Sequence, residues 1–334
     1  MPLLINYFED RQMIVKWHGQ ESTRRKLIGG GPQGALWGIL EYLSQSNDNT
    51  NFVDSSKKFK FIDDLSILEI INLMSIGIAS YDFKMHVASD IPSNGYIIPT
   101  KNLKTQDYLD KICSWTEDNM MQLNRKKSKA MIFNFTRDFQ FTSRTVMKNE
   151  VIDIIKETKL LGVMLCDDLS WDSNTSFLVK RANARMRLLH KLVDFGIPQS
   201  DLVNIYTLYI RSILEQSCQV WHSSLTLENF QDLERVQKTA LRIILQDEYI
   251  SYSNALAATG LSTLFHRRSQ LCLKFAKASL KHPQMKTMFP LNPQKCDTQT
   301  RYREKFHVTK ARTERLKNSA IPYTQRLMNT EVTK

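Results

Sequence analysis

Two aspartates stand side by side in an apolar setting, Phe61-Ile62-Asp63-Asp64-Leu65, about thirty residues after the glycine-rich run Gly29-Gly30-Gly31-Pro32-Gln33-Gly34. Adjacent ionised carboxylates at a tight turn concentrate negative charge that a cation relieves, and hard divalent ions take oxygen ligands of this kind. Two such ions about 4 Å apart can hold the attacking and leaving oxygens of an in-line phosphoryl transfer. One turn cannot surround two cations, so that chemistry needs carboxylates from a second chain segment. The glycine run provides backbone without side-chain bulk, which lets a nucleotide or a nucleic-acid strand approach closely. A helix starting just after it would offer unpaired backbone N–H groups to an anion, and Gln33 can hydrogen-bond a base or a sugar. Each signal alone has an ordinary explanation, a surface Asp-Asp pair or a loop entering a helix. A second pair, Asp167-Asp168, reads as a turn or a helix cap.

The surrounding pattern supplies the elements that must position these groups. Ile14 to Trp17 alternates as a strand does, and Leu36, Ile39, Leu40 and Leu43 after the glycine run have helical spacing. A polar loop, Ser44 to Ser56, leads to a strand at Phe59 to Ile62, and Leu65 to Ile70 returns, which predicts a β-hairpin with both carboxylates at its tip. The apolar positions from Tyr108 to Leu123 predict a helix, Asn124-Arg125-Lys126-Lys127-Ser128-Lys129 a polar turn, and Ala130 to Phe135 a strand. Leu160 to Leu165 is a further short strand. The pattern then turns helical, over Phe177 to Val193, Leu202 to Leu214, Phe230 to Ile244 and Leu264 to Leu280, with the join near Asp167 to Asn174. Leu202, Ile205, Tyr206, Tyr209, Ile210, Ile213 and Leu214 form an especially regular apolar stripe.

Composition narrows the class. A chain of 334 residues with 42% hydrophobic content has room for two domains and a real core. No apolar run reaches the roughly 18 residues of a membrane span. MPLLINYFEDRQ does not read as a signal peptide. The five cysteines, Cys113, Cys166, Cys218, Cys272 and Cys296, show no metal spacing and fit reduced thiols, so an intracellular setting, cytoplasm or nucleus, is expected. From Arg267 to Lys334 there are 16 Lys and Arg against 4 Asp and Glu, which accounts for the whole net charge of +12. Such a segment reads either as the electrostatic footprint of a polyanion partner or as a solvated tail.

Taken together, GGGPQG, FIDDL and the turn Asn124…Lys127-Ser128-Lys129 resemble the palm of a reverse transcriptase of the non-LTR (LINE-type) retrotransposon kind. The later text is similar as well: Lys159-Leu160-Leu161-Gly162-Val163, Asp168-Leu169-Ser170-Trp171, Tyr209 to Glu215, Val220-Trp221-His222, Leu233 to Ile244, and Asn318 to Tyr323. The resemblance implies an α+β chain: a partial polymerase palm, an antiparallel sheet with packed helices, over 1–170; an α-helical thumb-like domain over 171–282; and a basic C-terminal tail over 283–334. It implies RNA-templated DNA synthesis by two-metal phosphoryl transfer, with Mg²⁺ or Mn²⁺ as cofactor. The implied partners are an RNA template, a DNA primer or target, RNA–DNA hybrid and deoxynucleoside triphosphates, with no membrane. Asp63 would be a metal ligand with Asp64 beside it as the weaker one. Gly31, Pro32, Gln33 and Gly34 would line the nucleotide and template path. Lys127 would lie near the leaving pyrophosphate, with Lys126 and Lys129 as competitors for that role. Leu161, Gly162 and Val163 would form the primer grip. In the first thumb helix Lys180, Arg187 and Lys191 share a face, with Arg181 and Arg185 alongside, and would track a nucleic-acid backbone.

One departure stands against these matches. Reverse transcriptases carry another metal-binding aspartate on a strand well before the glycine-rich motif. Here 28 residues precede Gly29 and hold one aspartate, Asp10, in the polar setting Phe8-Glu9-Asp10-Arg11-Gln12. The reading is therefore a truncated polymerase whose two-ion site is incomplete and whose synthesis is impaired. The alternative is a non-catalytic remnant that binds nucleic acid through the thumb and tail. Trp115, Trp171 and Trp221 read as core packing, the seven histidines as having no metal or triad spacing, and Arg267-Arg268 as the end of a turn and the start of a helix.

Overall fold

Helical apolar stripes and two-residue turns account for nearly all of the architecture in this computed structural model, which describes residues 12–26, 58–61, 64–69, 95–98, 104–119, 121–135, 140–143, 145–292 and 306–332. The glycine run with Gly31 to Gly34, Asp10, Asp63 and the segment from Ala35 to Ser56 lie outside them. The fold is mixed helix with small, mainly antiparallel strand pairs, broadly α+β. The chain packs as two units, Met1–Ile154 and Ile155–Lys334.

In the first unit short strands pair locally. β1 (Gln12–Met13) pairs with β4 (Arg25–Lys26), and β2 (Lys16–Trp17) with β3 (Gln20–Glu21). The turn between β2 and β3 is His18-Gly19, both at positive φ as a tight two-residue hairpin demands. β5 (Lys58–Phe61) and β6 (Asp64–Ile67) are antiparallel. β7 (Gly95–Ile98) runs parallel to β8 (Gln140–Ser143). α1 (Lys104–Asp118) buries Ile112 and Thr116. Its first turn is held by the Glu69 carboxylate, which accepts from the backbone N–H groups of Lys104 (3.0 Å) and Thr105 (2.8 Å), an anion where the helix dipole favours one. Gln106 fastens the same helix to β9 (Val146–Met147), donating to the Val146 carbonyl and accepting from its N–H, both at 2.8 Å. β9 turns into β10 (Glu150–Val151) through Lys148-Asn149.

The strand expected from Ala130 to Phe135 does not form. Ala130 makes a single parallel bridge to Ile154, and residues 131–135 run on as irregular chain. Apolar alternation needs a neighbouring edge before it becomes a strand.

The second unit holds the larger core. β11 (Glu157–Leu160) and β12 (Val163–Cys166) form a hairpin that packs on α2 (Asp172–Asp194). A second long helical stretch runs as α3 (Gln199–Ile205), a π-helical segment (Tyr206–Arg211) and α4 (Ser212–Glu215). α5 (Cys218–Trp221), α6 (Leu227–Leu245), α7 (Tyr252–Thr259), α8 (Leu264–Ser279), α9 (Pro283–Lys286), α10 (Glu314–Lys317) and α11 (Ala320–Val332) follow. Thr226, Ser251, Thr263 and Thr313 each accept a backbone N–H at a helix start, and Gly260 closes α7 in the left-handed conformation. α6 lies against α2, and Leu178, Leu189, Leu233, Leu241 and Ile244 meet there at 0–1% exposure. Each such side chain contributes on the order of 2 kcal/mol of burial.

A polar chain runs through this core. The Tyr206 hydroxyl donates to Gln237 Oε1 (2.8 Å), and Gln237 Nε2 donates to the Tyr252 hydroxyl (2.8 Å) and the Ser262 carbonyl (3.0 Å). Tyr252 in turn donates to the Glu234 carboxylate, which also accepts from Leu264 N–H. The C-terminal segment folds back on the same unit. Phe289, Phe306, Met328 and Ala276 make a second apolar cluster. The buried amides of Asn329 and Gln325 take the backbone of Phe306, Thr309 and Met288.

The regular stripe from Leu202 to Leu214 is broken at one place. Leu202, Tyr206, Ile210, Ile213 and Leu214 are buried, but Tyr209 is 54% exposed. The wider π turn between Tyr206 and Arg211 adds a residue to the helical repeat and rotates Tyr209 out of the core face.

Candidate nucleic-acid interface

The acidic hairpin is built by pairing alone. Phe61 pairs with Asp64, and Lys60 with Leu65, so Asp64 opens the return strand β6. Asp63 is outside the described residues, as are Gly31, Pro32, Gln33 and Gly34. Among the described residues no group of three or more His, Cys, Asp or Glu side chains is placed to hold a metal ion.

The basic turn after α1 is tightly drawn. Asn124 accepts Lys127 N–H through its side chain and Ser128 N–H through its carbonyl, closing one 3-10 turn over Arg125–Lys127. Arg125 pairs with Glu150, and Lys129 with Asp153 at 2.6 Å, which holds the Asp153 carboxyl below its ordinary range. Lys126 and Lys127 are exposed. Of the three lysines considered for a phosphate contact, Lys129 is the one already tied to a carboxylate.

The second unit joins the other basic residues into one surface. The β11–β12 turn is Leu161-Gly162, with φ of +47° and +88°, the two positive values that a two-residue hairpin requires. Val163 begins β12, opposite Leu160. A Cβ at Gly162 would meet Gln216 Nε2 at 2.5 Å, so the turn sits directly on Gln216. Gln216 is a junction: its Oε1 accepts from Arg181 (3.3 Å) and its carbonyl from the Trp221 indole (3.0 Å). Lys159 and Arg181 stand over the Phe177 ring, at 4.9 and 5.3 Å from its centroid. Arg185 lies over the Tyr209 ring at 6.0 Å and donates to the Tyr209 carbonyl at 2.5 Å. The π segment thus presents both an aromatic face and a carbonyl to one guanidinium. Lys180, Arg187 and Lys191 are exposed along the outer side of α2.

The five basic residues expected on α2 therefore do two things. Arg181 and Arg185 lean on aromatic rings and backbone, and Lys180, Arg187 and Lys191 face solvent. Lys159, Phe177, Tyr209 and Gln216 complete the surface without having been singled out from the sequence. The Phe177–Arg181 spacing of four residues was the available signal; Lys159 and Tyr209 stand in stretches that carry the resemblance without a role attached, and Gln216 left no signal. Asp168, read as a turn residue, is one: its side chain accepts Ser170 N–H at 2.8 Å, and that bond holds its carboxyl below the ordinary range. Trp171 and Trp221 are buried, and Trp115 is half-buried. The helix expected at Arg267-Arg268 starts earlier, at Leu264, which puts Arg268 inside α8, fully buried.

No family model matches the chain, and no solved structure matches it. Over 262 residues, 76% of this chain, it is 22% identical to a protein of Drosophila melanogaster described as probable RNA-directed DNA polymerase from transposon X-element. The matched part is 26% of that protein, so the chain spans about a quarter of its relative's length. The likeness is a distant one to a reverse transcriptase of a transposon. Among the described residues no helix is long and apolar enough to cross a membrane.

Proposed function

We propose that this chain is the palm-and-thumb portion of a non-LTR retrotransposon reverse transcriptase, and that it grips an RNA template paired with a DNA primer. The distant likeness to a transposon RNA-directed DNA polymerase supports the family. The observation that carries the binding role is the surface formed by Lys159, Phe177, Arg181, Arg185 and Tyr209 beside the Leu161-Gly162 turn. Cations over aromatic faces, with more cations along α2, offer phosphate neutralisation and base stacking in one place. In the parent protein Asp63 and Asp64 would ligate Mg²⁺ or Mn²⁺, with Gly31 to Gly34 lining the nucleotide path and Lys127 near the leaving pyrophosphate. Two ions need carboxylates beyond this pair, and we expect the chain to hold primer–template without extending it.

Primer extension on poly(rA)/oligo(dT) with Mg²⁺, run beside fluorescence anisotropy on the same duplex, tests this. Salt-sensitive binding without incorporation is expected. Template-dependent incorporation abolished by Asp63→Ala would overturn the incomplete site while keeping the family. Absence of binding at low salt by a chain that melts cooperatively would overturn the grip.

A further inference from the structure

The interior of the helical unit contains a thiol pair that the interface does not use. Cys218 opens α5 and Cys272 lies in α8, with 0% and 2% of their surface exposed. Cys272 Sγ stands 4.0 Å from the Cys218 carbonyl oxygen, where α5 packs on α8. One helical turn before Cys272 comes Arg268, which is 0% exposed. Its guanidinium stacks on Trp221 at 5.5 Å, and its Nε donates to His222 Nδ1 at 3.2 Å. Its Nη1 and Nη2 have no hydrogen-bond partner among the described residues.

A buried guanidinium without a counter-charge is costly. The carboxylates whose charge reaches it are Glu234 and Glu215, and both are engaged elsewhere. Glu215 holds Arg211 at 3.0 Å and Arg267 at 3.2 Å, and Glu234 takes the Tyr252 hydroxyl and Leu264 N–H. A thiolate at Cys272 would supply the missing negative charge. The environment already separates the two sulfurs. The hydrogen bond from Cys218, with Arg268 adding, holds Cys272 below the ordinary thiol range, and the same bond with burial pushes Cys218 up. One sulfur is thus prepared to attack and the other keeps its proton until the second step.

We propose that Cys218 and Cys272 are a redox pair that a low-molecular-weight disulfide converts to an intrachain disulfide joining α5 to α8. The Cys272 thiolate attacks one sulfur of the oxidant, forming a mixed disulfide and releasing one thiolate, which takes a proton from water. Cys218 then gives up its proton and attacks the Cys272 sulfur, forming the internal bond and releasing the second sulfur, which takes up that proton. Two electrons and one proton leave the protein, and the oxidant's sulfur–sulfur bond becomes two thiols. Entry to so buried a pair uses local opening of the short helix α5.

The full chain, reduced and then equilibrated in mixtures of oxidised and reduced dithiothreitol, provides the test. Samples are acid-quenched, alkylated, digested without reduction and mapped by mass spectrometry. The expected product is a Cys218–Cys272 peptide pair two hydrogens lighter than its parts and restored by excess reductant. It closes a long loop, and the melting temperature rises by roughly 5–10 °C. Replacing Cys113, Cys166 and Cys296 together by Ser should leave the product unchanged. Full alkylation of Cys218 and Cys272 in the most oxidising mixture, in a chain that still melts cooperatively, would overturn the pair. So would a disulfide mapped to any other cysteine. The wild-type map decides even where the Cys218→Ser chain does not fold.

Discussion

His222 shows how neighbours decide the state of one side chain. Arg268 is always charged and donates to His222 Nδ1, so the ring proton must sit on Nε2, which faces Ser269 Oγ at 3.1 Å. Ser269 Oγ donates to the Phe265 carbonyl at 3.0 Å, which leaves the Tyr323 hydroxyl, 3.0 Å away, as a second donor to it. Burial first, and the adjacent Arg268 second, depress the imidazole from 6.5 to about 3. In that window the unfolded chain takes a proton that the native one refuses. Stability should therefore be undiminished above pH 6.5, fall as pH drops toward 3, and lose on the order of 5 kcal/mol across the whole interval. Urea midpoints measured from pH 7 to 4 should follow that decline. His222→Asn should lower the plateau but flatten the slope, and an unchanged slope would remove His222 as the cause. Gly162 is the other position where one residue decides. Gly162→Ala meets the movable end of Gln216 and keeps a φ of +88°, so a loss of about 1–2 kcal/mol in thermal melts is expected. Adding Gln216→Ala should recover the steric part alone.

At the scale of elements, the π segment and α2 are the informative pair. The π segment Tyr206–Arg211 presents Tyr209, 54% exposed, to Arg185 through both its ring and its carbonyl. The wide turn gives up an even apolar stripe and gains an exposed aromatic beside a cation. If this face binds hybrid, Tyr209→Ala should weaken binding by about 1–3 kcal/mol, as loss of a stacking ring does. Replacing Lys180, Arg187 and Lys191 together by Gln should instead lower the salt dependence of binding, by about two to three in the slope of log K against log salt. Equal loss of affinity at all salt concentrations from the triple variant would place the phosphates elsewhere.

For the whole molecule, the division at Ile154/Ile155 has a direct consequence. The β11–β12 hairpin, the helices and the folded-back C-terminal segment share their apolar core within the second unit. Residues 155–334 expressed alone should give a single cooperative melt near that of the parent. A non-cooperative trace would mean that the first unit completes the core. The basic charge near the C-terminus is also redistributed by folding. Arg268 is buried, which withdraws one positive charge from solvent, and the exposed Lys277 and Lys317 stand beside Glu331 and Glu314.

Periodicity and turn chemistry were enough to place the helices of the second half, the Phe61–Asp64 hairpin, the turn at Asp168 and the buried settings of Trp171 and Trp221. Those features follow from residues a few positions apart, where spacing reports directly on geometry. The rest needed packing between distant segments. The π turn that exposes Tyr209, Gln216 under the Gly162 turn, the pairing of Cys218 with Cys272, and the burial of Arg268 against Trp221 and His222 join residues up to 54 positions apart. The failed strand after Ala130 belongs with them, because whether an edge is present to pair with it is a property of the assembled chain.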